Sequence, residues 1–246
     1  MELFTVTDAV AWPEGDWRRR AMAAFRENMT NRDNPFPCVP ATQAFALGHL
    51  RYAFAGDPRL TSSAEALAPA LAEFGERARS FGKYATLIAI YETPPEVARM
   101  DVPAFERLFW HQLNALAALD GSPWPEVLPD APDDPAWEFC FGGESYFMYC
   151  ATPAHVRRRS RSFPYFMLAI TPRWVLTKFT AEGERAARMK KAIHDRLLRY
   201  DDAPRHPELK TYGAEDNFEW KQYFLRDDDS AADRCPFLRS LRNMKK

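Results

Sequence analysis

The 246-residue sequence predicts an α+β fold: a single domain with an antiparallel or mixed sheet, several packed helices and Pro-rich loops. Three observations predict it. Short runs rich in β-formers, at 84–92, 137–151 and 163–179, stand between helical stretches without a regular βαβ alternation. Gly142-Gly143 falls between two apolar runs, as the turn of a two-residue hairpin does. No linker, internal repeat or low-complexity stretch divides the chain, and 46% hydrophobic with 27% charged residues suits one sizeable core. Within this single 1–246 domain, residues 1–33 and 238–246 are expected at the periphery.

Taken in order, residues 16–28 form a short helical candidate ended by a polar cluster. Pro35, Pro37 and Pro40 make 34–40 an extended, rigid segment. A helix opens near Ser62, where Ser62 and Glu65 have capping-box spacing, and Leu67, Leu71 and Phe74 recur on one face. The run 84–92 reads as a buried strand, and Thr93-Pro94-Pro95-Glu96 as a second capping box. The helix 102–119 turns Phe105, Leu108, Phe109, Leu113, Leu116 and Leu119 inward. A loop with five prolines follows at 122–135. The hairpin pairs 137–141 with 144–151, and two further strands are predicted at 163–171 and 173–179. An amphipathic helix at 181–200 faces Met189, Ile193, Leu197 and Tyr200 inward, and 218–225 is the only concentrated aromatic stretch of the last fifty residues.

Composition narrows function. Lys and Arg number 33 against 34 Asp and Glu, a net charge of −1, so no global field draws the chain to nucleic acid or anionic lipid. No apolar run reaches the length of a membrane span, and no signal pattern opens the sequence, which points to the cytoplasm. Cys38, Cys140, Cys150 and Cys235 show no C-x-x-C spacing and read as reduced thiols. Aromatics reach 14%, and 20 Pro outnumber 10 Gly. That suits either a bulky core or a wall around a flat apolar ligand.

Several chemistries are absent. No phosphate-binding glycine loop, no G-x-S-x-G elbow and no H-x-x-x-H pair occurs among His49, His111, His155, His194 and His206. Glu138 and Glu144 flank the hairpin turn, but the register sets Glu144 on the face of Phe139 and Phe141 and Glu138 on the other. A carboxylate on an aromatic face needs a partner, either an internal Arg or a cationic substrate. The densest signal is His155 followed by Arg157, Arg158, Arg159 and Arg161. Neighbouring arginines favour a neutral imidazole, the metal-binding form, and suit carboxylates or phosphates on a ligand. The same run also reads as an exposed basic loop.

Ordered motifs carry a resemblance. They are Phe36-Pro37-Cys38 with Gly48 and Arg51 downstream, the stretch from Trp137 to Glu144, Thr152-Pro153-Ala154-His155 with its arginines, Pro172-Arg173-Trp174-Val175, Asn217-x-Glu219-Trp220 through Leu225, and Cys235-Pro236-Phe237. Over nearly the whole chain these resemble the YqcI/YcgG family, in which the resemblance implies haem-dependent N-hydroxylation of guanidine-type nitrogen, as in guanitoxin and D-cycloserine biosynthesis. Two departures stand out: Val39-Pro40-Ala41 follows Phe-Pro-Cys where the family has an apolar residue and Phe-Gly, and Ala117 and Ala118 stand where the helix often carries His.

What the resemblance implies is an oxygenase using haem b and O2, fed by a separate electron-donor reductase, acting on a small guanidine or amine. His155 is the expected axial ligand of the metal, with His111 in reserve. Arg157, Arg158, Arg159 and Arg161 are expected on the propionates, Trp137 and Phe139 on the haem plane, and Glu144 as the carboxylate that orients the cation. Glu138 and Glu219 are weaker choices for that carboxylate, and Cys38 and Cys235 are expected to be buried thiols rather than ligands. A non-catalytic haem carrier or sensor, and a protein-interaction module, stay open as alternatives, as does a homodimer.

Overall fold

The computed structural model describes residues 3–180 and 183–238. In chain order, helix α1 is Trp17–Thr30, α2 Val39–Ala46, strand β1 Leu50–Ala55, α3 Thr61–Phe81 and β2 Thr86–Tyr91. A single turn, α4 (Pro95–Ala98), and α5 (Val102–Leu119) precede the hairpin of β3 (Phe139–Phe141) and β4 (Glu144–Ala151). Strand β5 (Met167–Pro172), α6 (Arg173–Thr180), α7 (Glu184–Tyr200) and the short α8 (Trp220–Tyr223) complete the order. The sheet runs β1-β2-β5-β4-β3, with β1 parallel to β2 and every other pair antiparallel. The α+β class holds.

Alternation along the strands gives the sheet two buried faces. Ala53, Ala89, Met148, Leu168 and Phe139 point to one face and pack on Leu67, Leu71 and Phe74 of α3 and Phe105, Phe109 and Leu113 of α5. Tyr52, Phe54, Ile88 and Met167 point to the other, against Met22 and Phe25 of α1, Ala44 of α2 and Val175 of α6. Residues expected at the N-terminal periphery therefore include core: Ala21, Met22, Phe25 and Met29 of α1 are buried. Gly142 and Gly143, at φ 61° and 76°, make the tight turn, and Phe141 pairs with Glu144 as the predicted register requires.

Local expectations fail where tertiary pairing decides. No predicted element covers 50–55, which becomes strand β1 through its parallel pairing with β2. The predicted strand 173–179 is α6. Pro172 closes the β4–β5 ladder, and the chain turns helical at once, burying Val175. Segment 34–40 is not extended throughout, because Cys38 caps α2 and Pro40 sits in its first turn. Ser62 lies inside the first turn of α3, whose N-cap is Leu60, and Pro94 rather than Thr93 caps α4, so neither capping box forms. The predicted helix start at Ala181 and the stretch 239–246 lie outside the described residues.

Candidate functional site

His155 sits in the turn after β4 and is a core histidine. Its Nε2–H donates to the Leu225 carbonyl at 2.8 Å, which leaves Nδ1 to accept from the Thr152 hydroxyl at 2.8 Å. Burial above all, with Arg161 and Arg158 adding to it, lowers its pKa and keeps the ring neutral. Neutrality matches the sequence reading, but both ring nitrogens hold protein partners. The arginines divide likewise. Arg161 is buried and donates to the carbonyls of Tyr223 and Gln222 at 3.0 Å, fixing the C-terminal segment to β4. Arg158 is buried and spans Pro204, Arg226 and Asp229 at 2.7, 2.7 and 2.8 Å. The side chains of Arg157 and Arg159 are exposed. Asp227 ties the loop by accepting from the backbone N–H groups of Val156, Arg157 and Arg158.

The remaining expected residues also stand away from a common site. Trp137 and Phe139 are fully buried against Phe237, with ring centroids 5.1 and 5.8 Å away, on the α3/α5 side of the sheet. His111, on α5, is on that side too. Glu144 pairs with Arg79 at 3.2 Å near the hairpin turn, with a quarter of its side chain exposed. That contact is the internal-Arg solution to a carboxylate on an aromatic face.

The space for a ligand lies on the other side of the sheet. An apolar cavity of about 280 Å³ is walled by Met29 of α1, Ala44 of α2, and Ile88 and Ala169 of the sheet. It adjoins a second cavity of about 410 Å³, which reaches toward Arg161, Lys190, His194, Arg205 and Lys210. Phe36, Cys38, Phe147, Tyr149, Leu176 and Ile193 line both, so together they form one slot between the sheet and α2 and α7. Cys38 caps α2 at the junction. Burial raises its thiol pKa, opposed by the backbone N–H of Ala41 and the charge of Arg161.

Beyond Tyr212, which lines the second cavity, a polar cavity of about 270 Å³ holds Glu138, Glu219 and Arg173. Glu138 is fully buried and its Oε1 accepts from the Tyr212 hydroxyl. Its Oε2 accepts no hydrogen bond, and the Arg173 guanidinium stands 3.4 Å from it. Glu219, 2% exposed, accepts from Gly213 N–H and Asn217 Nδ2 at 2.7 Å. Burial raises the pKa of both carboxyls, and with the charge of Glu138 it pushes Glu219 up to about 7. Among the described residues no group of three or more His, Cys, Asp or Glu is placed to hold a metal ion.

A family model described as the YqcI/YcgG family matches residues 25–238. The chain belongs to this family. It is 48% identical to the YcgG protein of Bacillus subtilis (strain 168) over 230 residues, covering 93% of this chain and 90% of that protein. It is 46% identical to YqcI of the same strain over 231 residues, covering 94% and 91%. A more distant relative, DcsA of Streptomyces lavendulae, is provisionally named an N(omega)-hydroxy-L-arginine synthase. It is 30% identical over 227 residues, covering 90% of this chain and 84% of DcsA. No solved structure matches the chain. The YqcI/YcgG motifs thus fall into two roles in this fold. Thr152, His155 and Arg161 fasten the C-terminal segment, whereas Cys38, Glu138, Arg173 and Glu219 line cavities. Alternation puts Glu138 opposite Phe139, but nothing in the sequence brings 212–219 to it.

Proposed function

We propose that this protein N-hydroxylates a guanidine- or amine-type nitrogen of a small molecule with O2, using haem b as prosthetic group. The name of its 30% identical relative supports the reaction class. The observation that carries the reading is the apolar slot, whose second cavity carries cations and, behind its Tyr212, the buried carboxylates Glu138 and Glu219. A turn whose imidazole and buried arginines are already bonded to protein does not fit haem. The slot has the donor chemistry that fits: a thiol between aromatic walls for the iron, and Lys190 and Arg205 for the propionates. Cys38 would hold the iron as thiolate on binding; burial holds the free thiol protonated, and the N–H of Ala41 and charge of Arg161 offset only part of that.

When bound, haem supplies the activation of O2. One oxygen atom enters an N–H bond and the other leaves as water, so two electrons and two protons are consumed, the electrons from a separate reductase. Phe36, Phe147, Tyr149 and Leu176 give the slot apolar walls that would shield a bound group from water. The test is spectroscopic and then chemical. The protein reconstituted with haem should show a Soret band, with the red-shifted ferrous–CO band of a thiolate ligand. Cys38→Ser should lose that red shift and His194→Ala should keep it. L-Arginine with O2 and an electron donor should give a product heavier by one oxygen. Failure to bind haem stoichiometrically, with no such product from any guanidine or amine, overturns the reading. A red shift lost in His194→Ala but kept in Cys38→Ser overturns the ligand alone.

A further inference from the structure

The cavity behind Tyr212 has a charge imbalance that the protein leaves unresolved. Asp134, Glu138, Glu215 and Glu219 line it, against the single guanidinium of Arg173. Asp134 and Glu215 are exposed at the rim, so the mouth is negative, while Glu138 and Glu219 are buried. Burying a carboxylate without a counter-charge costs several kcal/mol. One Arg for two buried carboxylates leaves one charge to neutralise, by a proton or by a cation. The hydrogen-bonding count points the same way. Tyr212 takes up Glu138 Oε1, Gly213 and Asn217 take up Glu219 Oε1, and Gln222 Nε2 donates to Glu219 Oε2 at 3.3 Å, whereas the buried Oε2 of Glu138 has only the Arg173 guanidinium, 3.4 Å away and outside good hydrogen-bond geometry. A flat cation with several N–H donors would meet that oxygen and the missing charge together.

We propose that this cavity binds a guanidinium- or amidinium-type monovalent cation, which donates to Glu138 Oε2 and Glu219 and is the charged end of the substrate. The inference rests on the N-hydroxylase reading for the fate of that cation. Tyr212 connects the two spaces: its hydroxyl fixes Glu138 and its side chain also lines the slot. A metal ion is the poorer occupant, since two carboxylates, one beside an Arg, offer too few hard ligands.

Calorimetric titration of the whole protein, without added haem, tests the site separately from the chemistry. L-Arginine and methylguanidine should bind one per chain, whereas their neutral isosteres L-citrulline and methylurea should bind far more weakly. Glu138→Gln and Glu219→Gln should each weaken guanidinium binding roughly 30-fold or more. Arg173→Met, which removes the competing internal cation, should tighten it, the opposite of what a purely structural ion pair predicts. Should Glu138→Gln fail to fold, Glu219→Gln and Arg173→Met decide the matter. Equal binding of citrulline and arginine, or unchanged binding in the Glu variants, overturns the proposal. Glu-dependent binding, with no hydroxylated product from any guanidine or amine once haem and an electron donor are supplied, supports the site and removes the N-hydroxylase reading. Hydroxylation that survives both Glu variants with unaltered arginine binding does the reverse.

Discussion

Glu219→Gln should change how stability depends on pH, in a direction the structure fixes. Glu219 is buried, with Glu138, Arg173, Tyr212 and Tyr223 as the ionisable groups coupled to it. Its folded pKa is about 7 against an ordinary 4.5. Between those values the folded chain holds a proton that the unfolded chain has lost, so stability falls as pH rises from about 4.5 to about 7. At about 1.36 kcal/mol per pH unit, the rise amounts to roughly 3 kcal/mol of lost stability by pH 8. A glutamine keeps the acceptor for Gly213 and Asn217 and carries no charge, but turns its amide nitrogen toward Gln222 Nε2, which donates to Glu219 Oε2 at 3.3 Å. Beyond that pH-independent cost, urea denaturation at pH 4.5, 6 and 8 should show the variant gaining up to roughly 3 kcal/mol relative to wild type between the lowest and the highest pH. A difference between the two proteins that stays constant across that range refutes the reasoning.

Two further perturbations test what fastens the C-terminal segment. Arg161→Met should cost about 3 kcal/mol or more in urea denaturation, since it strands the carbonyls of Tyr223 and Gln222, whereas Arg157→Ala and Arg159→Ala should stay within about 0.5 kcal/mol. His155→Ala should cost about 2–4 kcal/mol at neutral pH by unpairing the buried Leu225 carbonyl and opening a hole. Because burial depresses the folded pKa of His155, its stabilisation is present above about 6.5 and fades as pH falls below that. The thermal melt of the variant should therefore be less acid-sensitive than that of wild type over pH 5–7.

Periodicity and turn chemistry alone determined much of this protein. The apolar spacing from Phe105 to Leu116 specifies α5, and Gly142-Gly143 specifies the hairpin with its register, since both signals are local and nothing in the fold opposes them. The same local logic placed Glu144 beside Phe141, and it reached a neutral His155 through the arginines, whereas burial is the main cause. It could not say which groups had partners. Sequence leaves His155 and its arginines looking available, and only the C-terminal segment laid across them, through Leu225, Tyr223 and Asp227, turns them into fastenings. Conversely Cys38 reads as a buried thiol between Phe and Pro until α2, α7 and the sheet close a slot around it. Glu138 and Glu219 lie some eighty residues apart, and desolvation and shared charge exist only once 212–219 is folded against β3. Hydrogen-bond partners, burial and charge balance are properties of long-range contacts, which is why only the tertiary structure shows them.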